Sequence, residues 1–169
     1  MIKLSKNGLK FLKALHLLII AGWFGGGIAM NLLVYQIAFL DQPSALLTAF
    51  RLIDIIDIQL VATCAMLTLL IGLIYGIFTN WGFFKQTWIT IKWIITVLVI
   101  YSGAVYSSSN LENMEAMVEQ IGIAALQHPE YLSIAQYNQW LGIVQLVLLA
   151  SAVVLSIWKP KRKGKAADA

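Results

Sequence analysis

Four long apolar runs constrain the fold of this chain more than any other feature of its 169 residues. They cover residues 14–35, 58–78, 88–106 and 140–158. A helix of about 20 apolar residues spans the hydrocarbon core of a bilayer, and each run has about that length. The sequence therefore predicts an all-α integral membrane domain, built as a bundle of four transmembrane helices.

Composition excludes a soluble fold. Hydrophobic residues make up 60% of the chain and charged residues only 12%, whereas about a quarter of the residues in an average soluble domain are charged. A soluble domain of this size could not hide so much apolar surface from water. The spans and their connections use almost the whole length, so we expect residues 1–169 to form a single membrane domain.

The placement of charge predicts the orientation of the bundle. The arm before the first run and the tail at residues 159–169 each carry a charge of +4, while the long connections at 41–57 and 107–138 carry −2 and −4. Lysine and arginine concentrate in the cytoplasmic segments of membrane proteins. We therefore expect both termini in the cytoplasm and a multi-pass membrane protein. The lipid bilayer is the expected partner, and no pattern typical of nucleic-acid binding is present.

The two long connections are predicted to form short amphipathic helices on the outer surface. In the second connection, apolar residues recur at helical spacing. Asn110 is a suitable N-cap for this helix, and Pro129 marks its latest end. Glutamates occupy the positions between the apolar residues, as expected for a helix with one face in water.

Small residues predict where the helices pack against each other. The first run has Gly22 and Gly26, and the second has Gly72 and Gly76, which are small residues at the four-residue spacing of close helix contacts. Cys64, the one cysteine of the chain, is expected to be a small packing residue. The glycine run 25–27 leaves room for a partner backbone or a flat ligand.

Two ionisable side chains inside the apolar runs, His16 and Lys92, give the main functional signal. Steps of three and four residues connect His16 to Trp23, Gly27 and Asn31 on one face of the first helix, which we expect to face inward. Each ionisable residue lies about one turn inside the cytoplasmic end of its helix, so the two could be neighbours. Ionisable groups within a span are unfavourable and mark functional sites. Two alternatives remain open: Lys92 extends to the lipid headgroups, or His16 donates to a carbonyl of the preceding turn.

Two short motifs resemble a superfamily of small bacterial membrane proteins. Lys-Ala-Leu-His at residues 13–16, followed by Trp-Phe-Gly-Gly at 23–26, resembles the signature of the first helix. Trp88 and Lys92, followed by an apolar run to Tyr101, resemble a pattern in the third helix. The superfamily includes the haem-dependent protoporphyrinogen oxidase, the copper-resistance D proteins and predicted integral membrane proteins without an assigned role.

The resemblance implies a b-type haem with His16 as the iron ligand and Lys92 near the carboxylates of the tetrapyrrole. Trp23 and Gly27 would lie beside the haem on the His16 stripe. The chain departs from the oxidase pattern, since Met30 and Asn31 stand where that pattern has proline and arginine. It also has Gln36 and Ser102 where the oxidase has histidines. The shorter relatives without an assigned role therefore fit better.

The function expected from these observations is an inner-membrane protein of unassigned role, with a haem-binding, redox-linked site inside the bundle. Copper or other cation transport is an alternative, because the outer connections together carry −6 and would attract cations. Four helices form only a narrow pore, so transport would call for a homo-oligomer. A third hypothesis is a membrane scaffold whose glycine faces bind partner helices. No catalytic residue is assigned, because the sequence has no phosphate-binding loop, catalytic triad or zinc spacing.

Overall fold

The computed structural model describes residues 5–79 and 83–158. Within these ranges the chain is helical, without strands, and four helices are long and apolar enough to cross a membrane. They are Lys6–Ile37, Pro43–Phe78, Thr87–Gln127 and Pro129–Trp158. The predicted all-α fold with four transmembrane helices is therefore confirmed, and each predicted span lies inside one of these helices. The basic tail at 159–169 lies outside the described residues.

The first helix, α1 (Lys6–Ile37), is longer than a bilayer requires. It begins at Ser5, whose hydroxyl oxygen accepts a hydrogen bond of 3.1 Å from the Gly8 amide. Its 32 residues correspond to a length of about 48 Å, compared with about 30 Å for the hydrocarbon core. The bundle therefore extends beyond the apolar layer.

The second and third long helices each change their winding partway along. The second consists of α2 (Pro43–Ile55), a π-helical segment π1 (Ile56–Ala62) and α3 (Thr63–Phe78). The third consists of α4 (Thr87–Ser102), π2 (Gly103–Ser107), α5 (Ser108–Ile121) and a short 3₁₀ segment at Gly122–Gln127. The predicted amphipathic helices are α2 and α5. They continue the spanning helices end to end, so Asn110 lies inside a helix and not at its cap.

A hydroxyl side chain stabilises the end of each π segment. Thr63 Oγ1 donates to the carbonyl of Ile58 at 3.1 Å, and Ser108 Oγ donates to the carbonyl of Gly103 at 3.2 Å. Both bonds reach back five residues, which is the spacing of a π turn. The extra residue in such a turn rotates the helix that follows. Each long helix can therefore bury one face at one end and a different face at the other.

Gly122 and Pro129 fix the boundary between the third and fourth long helices. Gly122 has φ +62°, a conformation that favours glycine, and it ends α5. Pro129 begins the fourth helix, α6 (Pro129–Trp158), where proline suits the first turn because its missing N–H has no partner there. The 3₁₀ segment between them is a tight corner, so α6 folds back directly along the bundle.

The described residues form two separate cores. We call the end with the start of α1 and the end of α6 the terminal end, and the opposite end the distal end. The distal cap is built from the end of α1, α2, α5, the 3₁₀ segment and the start of α6. Its core consists of Ile37, Leu46, Phe50, Ile53, Leu111, Met114, Val118, Ala125 and Tyr131. The core of the spanning half consists of Trp23, Ala65, Ile95, Val99, Leu149 and Ala152.

Glycines bring α1 close to the second long helix. A Cβ built on Gly22 would lie 2.9 Å from Cys64 Sγ, and one built on Gly26 would lie 2.8 Å from a methyl group of Val61. Such distances show that these positions have no space for a larger side chain. The glycines therefore act as helix contacts within the chain, and Cys64 packs against them.

Charge is segregated between the two ends of the bundle. Within the described residues, every aspartate and glutamate lies toward the distal end and every lysine toward the terminal end. This distribution agrees with the rule that basic residues favour the cytoplasm. Cytoplasmic termini remain the prediction.

Candidate functional site

All four long helices contribute side chains to a polar cluster at the terminal end. His16 comes from α1, Tyr75 from α3, Trp88 and Lys92 from α4, and Ser156 from α6. The rings of His16 and Tyr75 meet edge to face with their centroids 5.8 Å apart. Lys92 Nζ donates to Ser156 Oγ at 2.7 Å and lies 5.7 Å from the centre of the Trp88 ring. We call these five residues the His16 cluster.

Lys92 and His16 lie close enough for the lysine charge to act on the imidazole. The Lys92 ammonium bonds to a residue of another helix, Ser156, which lies in the last turn of α6. The alternative in which the ammonium extends to the headgroups stays a prediction. The interaction of Lys92 with the Trp88 ring is a cation–π contact, which stabilises a partly desolvated ammonium.

His16 is half-buried, and its Nδ1 atom is shielded from solvent without a hydrogen-bond partner among the described residues. The structure therefore does not contain the alternative hydrogen bond from His16 to a carbonyl of its own helix. Buried polar atoms in native proteins almost always have a partner, whether protein, water or ligand. An orphaned imidazole nitrogen beside a lysine is thus a candidate for ligand binding.

Trp23 and Gly27, the other two predicted site residues, line a separate cavity in the middle of the bundle. Neither His16 nor Lys92 is among the residues that line it. The separation follows from helix geometry, because eleven residues of α-helix between His16 and Gly27 correspond to about 16 Å. The structure therefore divides the four residues between two places.

The glycine run expected to accommodate a flat ligand is used in another way. Gly26 is buried against Leu60 and Val61, and a Cβ on Gly27 would lie 3.2 Å from Leu146. In this run, a Cβ built on Gly25 is the one that would have no heavy atom within 4 Å. Gly25 is nine residues from His16, which places it on the opposite face of α1. Space for a macrocycle next to the imidazole would therefore have to come from residues outside this run.

The middle of the bundle contains a cavity of about 390 Å³, which we call the central cavity. Both π segments contribute to its wall, π1 through Asp57 and Val61 and π2 through Gly103 and Ser107. Segments of π-helix are frequent at functional sites. The volume falls in the range of about 300–1,000 Å³ that is typical of small-molecule sites.

Polar side chains of the central cavity are connected by hydrogen bonds between helices. Ser108 Oγ lies 3.3 Å from Asp57 Oδ2 and shares its one hydroxyl proton between this oxygen and the Gly103 carbonyl, which links α5 to π1. The Ser107 hydroxyl donates to the side-chain oxygen of Asn138 at 3.1 Å, and this asparagine is only 5% exposed. The Gln145 amide donates to Ser102 Oγ at 2.9 Å. These bonds place a polar network within an otherwise apolar wall.

These polar contacts could not be predicted from the sequence. Asp57 was assigned to an outer connection, although it lies at the edge of an apolar run and its helix is continuous through it. The sequence hint of the two π segments is the hydroxyl residue that follows each of them, Thr63 and Ser108. Serine and threonine are too common in helices for this hint to predict a π turn by itself. Asn31, expected on the inward face of α1, lines the cavity, and so does Gln145.

Metal binding at the distal end has little structural support. Within residues 5–79 and 83–158, no group of three or more histidine, cysteine, aspartate or glutamate side chains is arranged to hold a metal ion. Met114, whose thioether could in principle bind a soft ion such as copper, is 1% exposed and belongs to the core of the distal cap. Its thioether therefore serves packing.

Four long apolar helices, with polar residues turned into the bundle, define this chain as a multi-pass integral membrane protein. A family described as predicted integral membrane protein (DUF2269) matches residues 10–160, and the chain belongs to this family. The expected membership of a family without an assigned role is thus confirmed. The likeness to the haem-dependent oxidase and the copper-resistance D proteins remains a resemblance. No curated protein and no solved structure matches the chain.

Proposed function

We propose that this protein binds a b-type haem, or a related tetrapyrrole with carboxylate groups, at the His16 cluster. The observation that supports the proposal is the half-buried His16 imidazole, whose shielded Nδ1 atom has no partner among the described residues, beside the charge of Lys92. We further propose that the protein works in the plasma membrane of a bacterium with both termini in the cytoplasm, in agreement with its segregated charges.

The donor set of the His16 cluster suits such a ligand. A neutral imidazole is a common iron ligand, and a lysine ammonium can pair with a carboxylate. Bound haem would supply a one-electron redox couple. The residues of the cluster would orient the imidazole and neutralise the carboxylates of the ligand. Tyr75 packs edge to face against the His16 ring, and Lys92, bonded to Ser156, presents positive charge at the end of the bundle.

Absorption spectroscopy tests the proposal directly. The purified protein, reconstituted with haem in detergent, should show a Soret band that His16→Ala loses. The matched control is His128→Ala, because His128 is the only other histidine and lies exposed at the distal end. Lys92→Gln should keep the band but weaken haem binding about tenfold, the effect of losing one charge-assisted contact. A wild type without a Soret band, or identical spectra for wild type and His16→Ala, would refute the proposal.

Cation transport is a second candidate because acidic side chains cluster at the distal cap. The charges of Asp54, Glu119 and Glu112 all act on Glu115, with Arg51 as the nearby basic residue. Such a field raises the local concentration of cations. Neutralising Glu112, Glu115 and Glu119 together should lower copper uptake into vesicles several-fold, and unchanged uptake would remove this candidate. A scaffold role has less support, because Gly22 and Gly26 already pack within the chain.

A further inference from the structure

The wall of the central cavity contains a carboxyl group and no basic side chain among the described residues. Asp57 is the one ionisable side chain among the described residues that line it. One hydroxyl, Ser108 Oγ, lies within hydrogen-bond distance of Asp57 Oδ2, at 3.3 Å, which leaves most of the acceptor capacity of an ionised carboxylate unused. An ionised carboxylate in a largely apolar wall is unfavourable without a cation or several donors, and otherwise takes up a proton. A ligand with positive charge would therefore stabilise the ionised form of Asp57.

Two amide side chains, Asn31 and Gln145, belong to the same cavity wall as Asp57. The Asn31 side-chain nitrogen donates to the carbonyl of Gly27 at 2.9 Å, and the Gln145 side-chain nitrogen donates to Ser102. The side-chain oxygens of Asn31 and Gln145 accept no hydrogen bond from the described residues. Gly142 makes space for the Asn31 amide, since a Cβ there would collide with it. Unused acceptors in the same wall as a carboxyl group complement a ligand rich in N–H donors.

The cavity opens sideways between the second and third long helices. The α4 helix packs mainly on α6 and touches α3 at only a few positions. Ala62 of π1 and Ala104 of π2 line the cavity and are also exposed, so they mark a slot that faces the lipid. The remaining wall is largely apolar and includes Val61 and Leu146. A ligand that partitions into the bilayer could enter through this slot.

We propose that the central cavity binds a protonated primary amine attached to an apolar chain. The ammonium group pairs with Asp57 and donates toward the amide oxygens, and the apolar chain lies in the slot between Ala62 and Ala104. An inorganic cation suits the cavity less well, because hard cations need about six or more oxygen ligands and this wall is mostly apolar. Amines of this kind come either as free alkylamines or as the headgroups of aminophospholipids.

Thermal unfolding in detergent, followed at increasing ligand concentration, measures the binding. Octylamine at neutral pH should stabilise the protein, whereas octanol, which lacks the charge, and octyltrimethylammonium, which lacks the N–H donors, should bind at least about tenfold more weakly. Asp57→Asn should weaken octylamine binding at least about tenfold. Asp54→Asn is the matched control, because Asp54 is exposed one turn away and does not line the cavity. Equal binding by octylamine and octanol, or by both variants, would overturn the proposal.

A second variant keeps the test decisive if Asp57→Asn fails to fold. Ala104→Trp narrows the slot without touching the carboxylate and should also abolish octylamine binding. Undiminished octylamine binding in this variant would contradict the proposed entry route and with it the site. A short-chain phosphatidylethanolamine distinguishes a lipid headgroup from a free amine as the ligand. If this lipid binds and its binding depends on Asp57, the ligand is a lipid headgroup. If octylamine binds and the lipid does not, the ligand is a free amine. His16→Ala should leave octylamine binding unchanged, so the haem proposal can fail independently.

Discussion

The distal cap and the spanning half are built from the same four helices but are held together by different forces. In the distal cap, Leu46 and Ile53 are 0% exposed, as in the core of a soluble protein. In the spanning half, the core residues Leu149 and Ala152 keep 8% and 9% exposure, and large apolar residues such as Leu18 face outward. Lipid is as apolar as leucine, so burying leucine there gains little. The distal cap therefore depends on the hydrophobic effect, whereas the spanning half depends on close contacts at small residues.

The largest expected effect is in the cap. Phe50→Ala removes a side chain that is 1% exposed and should lower the free energy of unfolding by about 3–5 kcal/mol. Denaturant unfolding in detergent, followed by circular dichroism, measures the change. Phe39→Ala is the control, because Phe39 is 65% exposed and its loss should change stability by less than about 0.5 kcal/mol. Equal effects of the two variants would mean that the cap is not a water-excluding core.

In the spanning half, two neighbouring glycines should respond in opposite ways to the same substitution. Gly26→Ala forces a methyl group against Val61 and Leu60 and should destabilise the bundle by about 1–3 kcal/mol. Gly25→Ala adds its methyl group in open space and should be neutral or stabilising by up to about 1 kcal/mol, because alanine favours the helix. Thermal unfolding of both variants in the same detergent provides the comparison. If Gly26→Ala were as stable as Gly25→Ala, close approach of α1 to the second helix would not support the spanning half.

The smallest expected effect concerns the π segments that join the two regions. Ser108→Ala removes the bonds from its hydroxyl to Gly103 and Asp57 and should destabilise the protein by about 0.5–1.5 kcal/mol. The rate of hydrogen exchange at the backbone amides around π2 should also increase in Ser108→Ala. Ser109→Ala is the control, since this exposed hydroxyl only bonds back four residues to Val105. A similar rise in exchange for both variants would contradict a special role for Ser108.

How much of the structure could be predicted differs between the fold and the site. The four spans and the amphipathic character of α2 and α5 followed from the spacing of apolar residues, because that spacing reports local periodicity. The continuity of α2 with α3 could not be predicted, since it depends on a π turn whose hydroxyl, Thr63, looks ordinary in the sequence. Trp23 and Gly27 were placed correctly on the inward face of α1. Their separation from His16 became visible only when the neighbouring helices were in place.

The sequence by itself determined the class of this protein, because length and apolarity dictate that a segment crosses a bilayer whatever its neighbours are. It also determined which faces turn inward, since polar and small residues recur at helical spacing. Only the tertiary structure decided that four helices bring His16, Tyr75, Lys92 and Ser156 together, and that Asp57 lines a cavity with Asn31 and Gln145. The physical reason is that these groupings join residues distant in sequence, so they depend on how the helices are rotated against each other, which the π segments and the glycine contacts set.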